Sequence, residues 1–257
     1  MRSYTLTVLL LVAIGVLGGC VAQAERDADA SKRAKRVEIH TQLGATYLAR
    51  NQLDVAQQEL ERALELDADY SQANHIMGLL QIRLQNDDKA ERYFRRAISE
   101  QSGNSDARNS YGVFLCERGR FDAADEQFRE AIKNPLYRTP EQANLNAGIC
   151  RLKKADKQAA VAYFRAALKL DPRQASALVH MARISFESGE MLSARGFMQR
   201  YFEVAPDTPE TLLLAFRIER ALGAKDAQAS YAVRLRGKFP ESAEAKQLHS
   251  LTGKHSR

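Results

Sequence analysis

Three cysteines and five histidines are the residues best equipped to ligate a metal or act as nucleophiles: Cys20, Cys116 and Cys150, with His40, His75, His180, His249 and His255. None of the histidines stands at metal-ligand spacing from another histidine or a cysteine, and there is no H-E-x-x-H, C-x-x-C or G-x-S-x-G. No glycine-rich phosphate loop is present either. Three cysteines cannot make a disulfide-rich miniprotein. These residue types therefore give no catalytic, cofactor or metal site, and a non-enzyme is expected.

The cysteines have more to say through their positions. Cys20 ends the stretch MRSYTLTVLLLVAIGVLGGC, in which Arg2 is a minimal positive start and Leu6 to Leu17 an uncharged, mostly apolar run. That run is shorter than the roughly 20 apolar residues of a membrane-spanning helix and has the shape of a secretory signal. Leu17-Gly18-Gly19-Cys20 resembles the lipobox of bacterial lipoproteins. The resemblance implies residues 1–19 as a signal peptide and Cys20 as the lipidated first mature residue. Val21 rather than Asp follows, which in that pattern implies the outer membrane, facing the periplasm. Residues 20–36 carry scattered charge and no aromatic residue, and are expected to be the lipidated N-terminus and a tether.

The bulk of the chain is ordinary globular material, with 45% hydrophobic and 27% charged residues, which excludes wholesale disorder. Sparse β-branched residues and no Trp favour helices over a sandwich or barrel. A net charge of +6, dispersed along the chain, gives no basis for a nucleic-acid partner.

The elements repeat. Pro172, Pro206 and Pro240 are 34 residues apart. Ala56, Ala90 and Ala124 keep the same period and, after a two-residue shift at Thr139-Pro140, so do Ala160 and Ala194. Leu60, Phe94, Phe128, Phe164 and Met198 form a large apolar column, and Gly44, Gly78, Gly112 and Gly148 a small one. This pattern resembles the tetratricopeptide repeat and implies an all-α solenoid of about six helix pairs. The expected units are 37–70, 71–104, 105–138, 141–174, 175–208 and 209–242, with 243–257 as a C-terminal tail. In each, glycine on the first helix admits the large residue of the second. The last unit has Phe216 in the glycine column and Ala232 in the aromatic one, as an end cap would.

Stacked helix pairs present a surface lined by first helices, suited to a peptide or partner domain. The second, fifth, ninth, twelfth and thirteenth places of each unit should face it. The candidate partner groove is Ala45, Leu48 and Ala49, then His75, Leu79 and Ile82, then Asn109 and Val113, and finally Leu145, Ile149 and Leu152. Some of these side chains could instead be packed between helices, and His75 could be a plain surface histidine. Repeats five and six turn charged at Arg183, Glu187, Arg217 and Arg220.

One stretch is more particular. Tyr111-Gly112-Val113-Phe114-Leu115-Cys116 is followed by Asn134-Pro135-Leu136-Tyr137, Thr139-Pro140 and Asn146-Ala147-Gly148-Ile149-Cys150. With a lipobox and six repeats, this resembles the PilF/PilW-type lipoproteins of type IV pilus biogenesis, the pilotins. The resemblance implies a lipid-anchored scaffold that helps the pilus secretin reach or assemble in the outer membrane, and a monomer is expected. The residues themselves imply only a membrane-tethered binding solenoid, and an adaptor for another envelope machine, such as cell-wall synthesis, is the alternative. Cys116 and Cys150 fall on neighbouring first helices, and export would supply an oxidising compartment, so a disulfide joining repeats three and four is expected.

Overall fold

The computed structural model describes the backbone of residues 2–253 and the side chains of residues 26–252. Among the described residues there are thirteen helices and no strand. They divide into two compact units, residues 1–110 and 111–257.

The first unit holds α1 (Arg2–Ala49), α2 (Leu53–Leu66), α3 (Ser71–Arg83), α4 (Asp87–Glu100) and the start of α5 (Ser105–Glu117). The helices form because each second helix carries apolar residues on one stripe: Ala90, Phe94 and Ala97 of α4 are all fully buried. The glycine column explains the close fit. A Cβ on Gly78 would lie 2.9 Å from the ring of Phe94, so only hydrogen fits between the helices. Burying a phenylalanine in this way contributes about 1.5–3 kcal/mol relative to leaving it exposed. Polar bonds tie successive repeats as well. The Asn104 amide donates to Ser71 Oγ at 2.9 Å, and Ser71 donates to the Ala97 carbonyl at 2.7 Å.

The expected tether takes a different form. α1 runs unbroken from Arg2 to Ala49, so residues 20–36 are helical. Residues 26–36 are solvated all round, which explains why they lack an apolar stripe. Arg33 nevertheless reaches the C-terminal end of α2, donating from Nε to the Leu66 carbonyl at 2.7 Å. There a cation suits the negative helix end.

The second unit completes α5 and adds α6 (Phe121–Lys133), α7 (Pro140–Lys153), α8 (Lys157–Leu170), α9 (Ala175–Glu187) and α10 (Met191–Val204). It ends with α11 (Pro209–Ala221), α12 (Lys225–Lys238) and α13 (Ala243–Gly253). Phe128 and Phe164 fill the spaces at Gly112 and Gly148 as Phe94 does at Gly78. Ala182 and Met198 continue the pairing in α9 and α10, both buried.

In α11 and α12 the pairing is exchanged: Phe216 is large where glycine stood, and Ala232 is small where phenylalanine stood, and both join one core. The end is not left to water. The segment expected as a tail folds as α13 and packs on α11, burying Leu248 completely. Its Ala245 and Leu248 supply the apolar cover that α12 alone does not provide.

Candidate partner-binding surface

The first helices hold the candidate groove residues at fixed places because each leads into a tight turn of one kind. Asn51, Gln85, Gly119, Ala155, Gly189 and Gly223 all have positive φ, between 58° and 79°. Their spacing is 34 residues, with the single two-residue shift between Gly119 and Ala155. A left-handed residue just past a helix end stops the helix and turns the chain into its partner.

In the first unit the candidates separate into surface and core. Ala45, Leu79 and Ile82 are half-buried and Ala49 is exposed. Leu48 is 9% exposed and belongs to a cluster with Ala56, Leu60, Ile76, Met77 and Leu80. The twelfth place of the first repeat is thus covered by α3, and Leu48 is a packing residue, not a free contact. His75 is likewise interior, at 5% exposure. Its Nε2 lies 2.9 Å from the Ser110 hydroxyl, its Nδ1 has no hydrogen-bond partner, and burial lowers its pKa to about 4. It is a neutral imidazole inside the stack, neither a surface histidine nor a groove contact. Asn109 is half-buried.

In the second unit Val113, Ile149 and Leu152 are half-buried, whereas Leu145 is 6% exposed and packs in the core with Phe164 and Leu178. Cys116 of α5 and Cys150 of α7 form a disulfide with their Cα atoms 5.8 Å apart. Beside it, Arg151 pairs with Asp125 of α6 at 2.6 Å, and the Tyr163 hydroxyl of α8 donates to the same carboxylate at 2.7 Å. Burial and that bond push the Tyr163 phenol upward, so it stays protonated. Lys154, bonded to Asp122 at 2.5 Å, holds that carboxyl below its ordinary range. Asp122 lies in the first turn of α6, where a carboxylate suits the positive helix end, and so combines that place with a bond between repeats.

The charged inner face of the later repeats lines a cleft of about 330 Å³, where Arg183, Glu187 and Arg217 surround Phe186, Leu213 and Leu214. His180 stacks on Phe164 with ring centroids 4.9 Å apart, and burial together with Arg183 lowers its pKa.

A larger cleft, of about 600 Å³, lies between α8, α9 and α10, lined by Val161, Met181, Ile184 and Phe197 with Lys157 and Glu190 at its rim. None of its lining residues holds one of the first-helix places expected to face a partner. The available signal was Val161 and Phe197, apolar residues in second helices outside the Ala–Phe–Ala columns.

Among the described residues no cluster of His, Cys, Asp and Glu has the makings of a metal site. No described helix is long and apolar enough to cross a membrane. The side chain of Cys20, the expected lipidation site, lies outside the described residues. The arrangement offers apolar and charged surfaces, ion pairs between helices and a crosslink, which suits binding.

The tetratricopeptide-repeat family model matches residues 41–107, 77–142, 115–175 and 145–208. The Type IV pilus assembly protein PilF of Pseudomonas aeruginosa is 27% identical over 245 residues, 94% of this chain and 96% of that protein. A solved structure of Pseudomonas aeruginosa PilF superposes with a TM-score of 0.78 at 26% identity, covering 86% of this chain and all of that one. The crystal structure of PilW, a widely conserved type IV pilus biogenesis factor, gives a TM-score of 0.72 at 31% identity, covering 82% of this chain and 97% of that one.

Proposed function

Because the chain belongs to the tetratricopeptide-repeat family, as a PilF/PilW-like protein of type IV pilus biogenesis, we propose that it is a non-catalytic pilotin. In this reading Cys20 carries the lipid, the protein faces the periplasm from the outer membrane, and it promotes localisation and multimerisation of the pilus secretin. The observation that carries the proposal is similarity to PilF and PilW along nearly the whole of all three chains. The L-G-G-C junction at Cys20 supports the anchor. One acyl chain holds a protein at a membrane only marginally, so the anchor needs the several chains of the lipoprotein pathway.

Among the candidate residues that remain accessible on first helices, the large apolar ones suited to a contact within each unit are Leu79 and Ile82 in the first, and Ile149 and Leu152 in the second. Apolar side chains in such positions grip an amphipathic or extended segment, and losing a central one costs about 2 kcal/mol or more.

The test is deletion of the gene followed by complementation. Without the protein, the secretin should no longer form denaturant-resistant multimers in the outer membrane. Cys20→Ala should leave a precursor that does not fractionate with that membrane. Ile82→Asp and Leu152→Asp should fold and fail to co-purify the secretin. Normal multimers in the deletion strain would defeat the pilotin reading and leave an adaptor for another envelope machine.

A further inference from the structure

The turn between α6 and α7 presents an apolar side chain to solvent on a rigid base. Leu136 is 86% exposed. The backbone that carries it is fixed from both sides. Its N–H donates to Asn134 Oδ1 at 3.0 Å, the Tyr137 N–H donates to the Asn134 carbonyl at 3.1 Å, and the Tyr137 ring is buried with Ala131 and Ala143. A leucine so exposed and so firmly placed loses little freedom when something covers it.

A second leucine comes to the same edge. α7 starts where the turn ends, and α8 packs antiparallel to α7, so the end of α8 returns to the start of α7. Leu170, 53% exposed, stands there. The cations beside the two leucines in sequence are Lys133, Arg138, Lys169 and Arg173, and Arg200 of α10 reaches the same edge, donating to the Pro172 carbonyl at 2.9 Å. Lys133 is paired with Glu130 at 2.5 Å, while Arg138, Lys169 and Arg173 make no side-chain ion pair among the described residues. The acids beside them in sequence are Glu130, Glu141 and Asp171, and Asp171 Oδ1 already accepts the Arg173 backbone N–H at 2.9 Å.

We propose that this edge, with Leu136 and Leu170 at its tips, rests on an anionic lipid surface. Two projecting leucines framed by unpaired cations match a bilayer interface, which is negative at its headgroups and apolar just below them. A protein groove would need a defined complementary shape, whereas a lipid surface accepts projecting tips of any spacing. Two leucines are too few to hold a free protein on a membrane. The contact therefore rests on the proposed Cys20 anchor, which supplies the bilayer at high effective concentration. Its consequence is orientation: the edge on the membrane turns the remaining faces of residues 111–257 toward a partner.

The chain contains no tryptophan, so a single introduced one is a clean reporter. Full-length Leu136→Trp, Leu170→Trp and, as a control on another helix, Val233→Trp proteins are reconstituted into vesicles of phosphatidylethanolamine and phosphatidylglycerol with bromine-labelled acyl chains. Tryptophan at 136 and 170 should shift to the blue and lose roughly half its emission to bromine, as insertion to headgroup depth requires. The Val233→Trp emission should stay as in water. Adding Arg138→Glu and Arg173→Glu should restore most of the lost emission. Flotation of the vesicles reads the anchor separately. Flotation with unquenched tryptophan at 136 overturns the edge contact and leaves the anchor standing; a chain that does not float removes the anchor and the edge contact with it. Equal quenching at 233 means non-specific adsorption and overturns the proposal. So does an emission at 136 that shifts only when the secretin is co-reconstituted while bromine has no effect, which assigns the turn to a protein contact.

Discussion

Arg151 of α7 pairs with Asp125 of α6 at 2.6 Å, one residue along from Cys150, which is bonded to Cys116 of α5. An ion pair and a covalent bond thus fasten the same two repeats, at the place where Thr139-Pro140 interrupts the 34-residue period. The sequence separation of the cysteines is 34, for which the chain-entropy model assigns about 3–4 kcal/mol. Reduction, or Cys116→Ala with Cys150→Ala, should lower the urea-unfolding free energy by up to that amount. Arg151→Met should cost about 1–3 kcal/mol, because it leaves Asp125, accessible to only a small extent, with only the more distant Arg129 at 3.6 Å as a cationic partner. Thiol counting by mass spectrometry on unreduced protein checks the bridge directly, and two free thiols would contradict it.

The glycine column makes a second prediction. A Cβ on Gly112 would sit 2.6 Å from Cε1 of Phe128, and that ring is fully buried with no room to retreat. Gly112→Ala should therefore destabilise the protein by about 1–3 kcal/mol despite the better helix propensity of alanine. Gly196, on a second helix with nothing near its Cβ position, is the control. Gly196→Ala should be neutral or slightly stabilising in the same denaturation assay.

The column of Gly44, Gly78, Gly112 and Gly148 shows what was legible in the chain. The small–large pairing is local in meaning, since one residue's absence of a side chain is another's space, and so the repeats could be read directly. Leu48 could not be placed in the same way. Its position in the repeat points inward, but whether α3 covers it depends on how closely the next pair stacks. His75 has the same difficulty: its burial comes from α4 and α5, on which its own helix carries no information. α13 was hidden for another reason, because its apolar residues are few and short segments give weak periodicity. Leu136 was visible as part of a motif, but only the turn shows it to be exposed while its neighbour Tyr137 is buried.

Ala155, like Gln85 two turns earlier, is strained where the glycine counterparts are not. It has φ of 64° at the turn position that Gly119, Gly189 and Gly223 fill, and left-handed backbone disfavours a Cβ by about 1–2 kcal/mol. Ala155→Gly should raise stability by about 0.5–1 kcal/mol, the relief being partly offset by the greater freedom of glycine in the unfolded chain. Gly119→Ala should lower it by a similar amount. Paired thermal melts of the two variants test both signs, and a stabilised Gly119→Ala would contradict the account.

His75 makes stability depend on pH in a calculable direction. In the unfolded chain an ordinary histidine titrates near 6.5, whereas burial lowers this one to about 4. Between those values the unfolded state binds a proton that the folded state does not, so stability falls as pH drops through this window. Above the unfolded value the full stability is present, and below about pH 4 this group causes no further loss. The difference of the two values corresponds to roughly 3 kcal/mol in total, and about 2 kcal/mol should be gone by pH 5. His75→Gln removes the titrating group and keeps a side chain able to meet the Ser110 hydroxyl. It should have a lower stability at neutral pH but a flatter profile toward acid. Urea midpoints measured from pH 7 down to pH 4 for the two proteins decide the matter, and parallel profiles would show that His75 is not the group responsible.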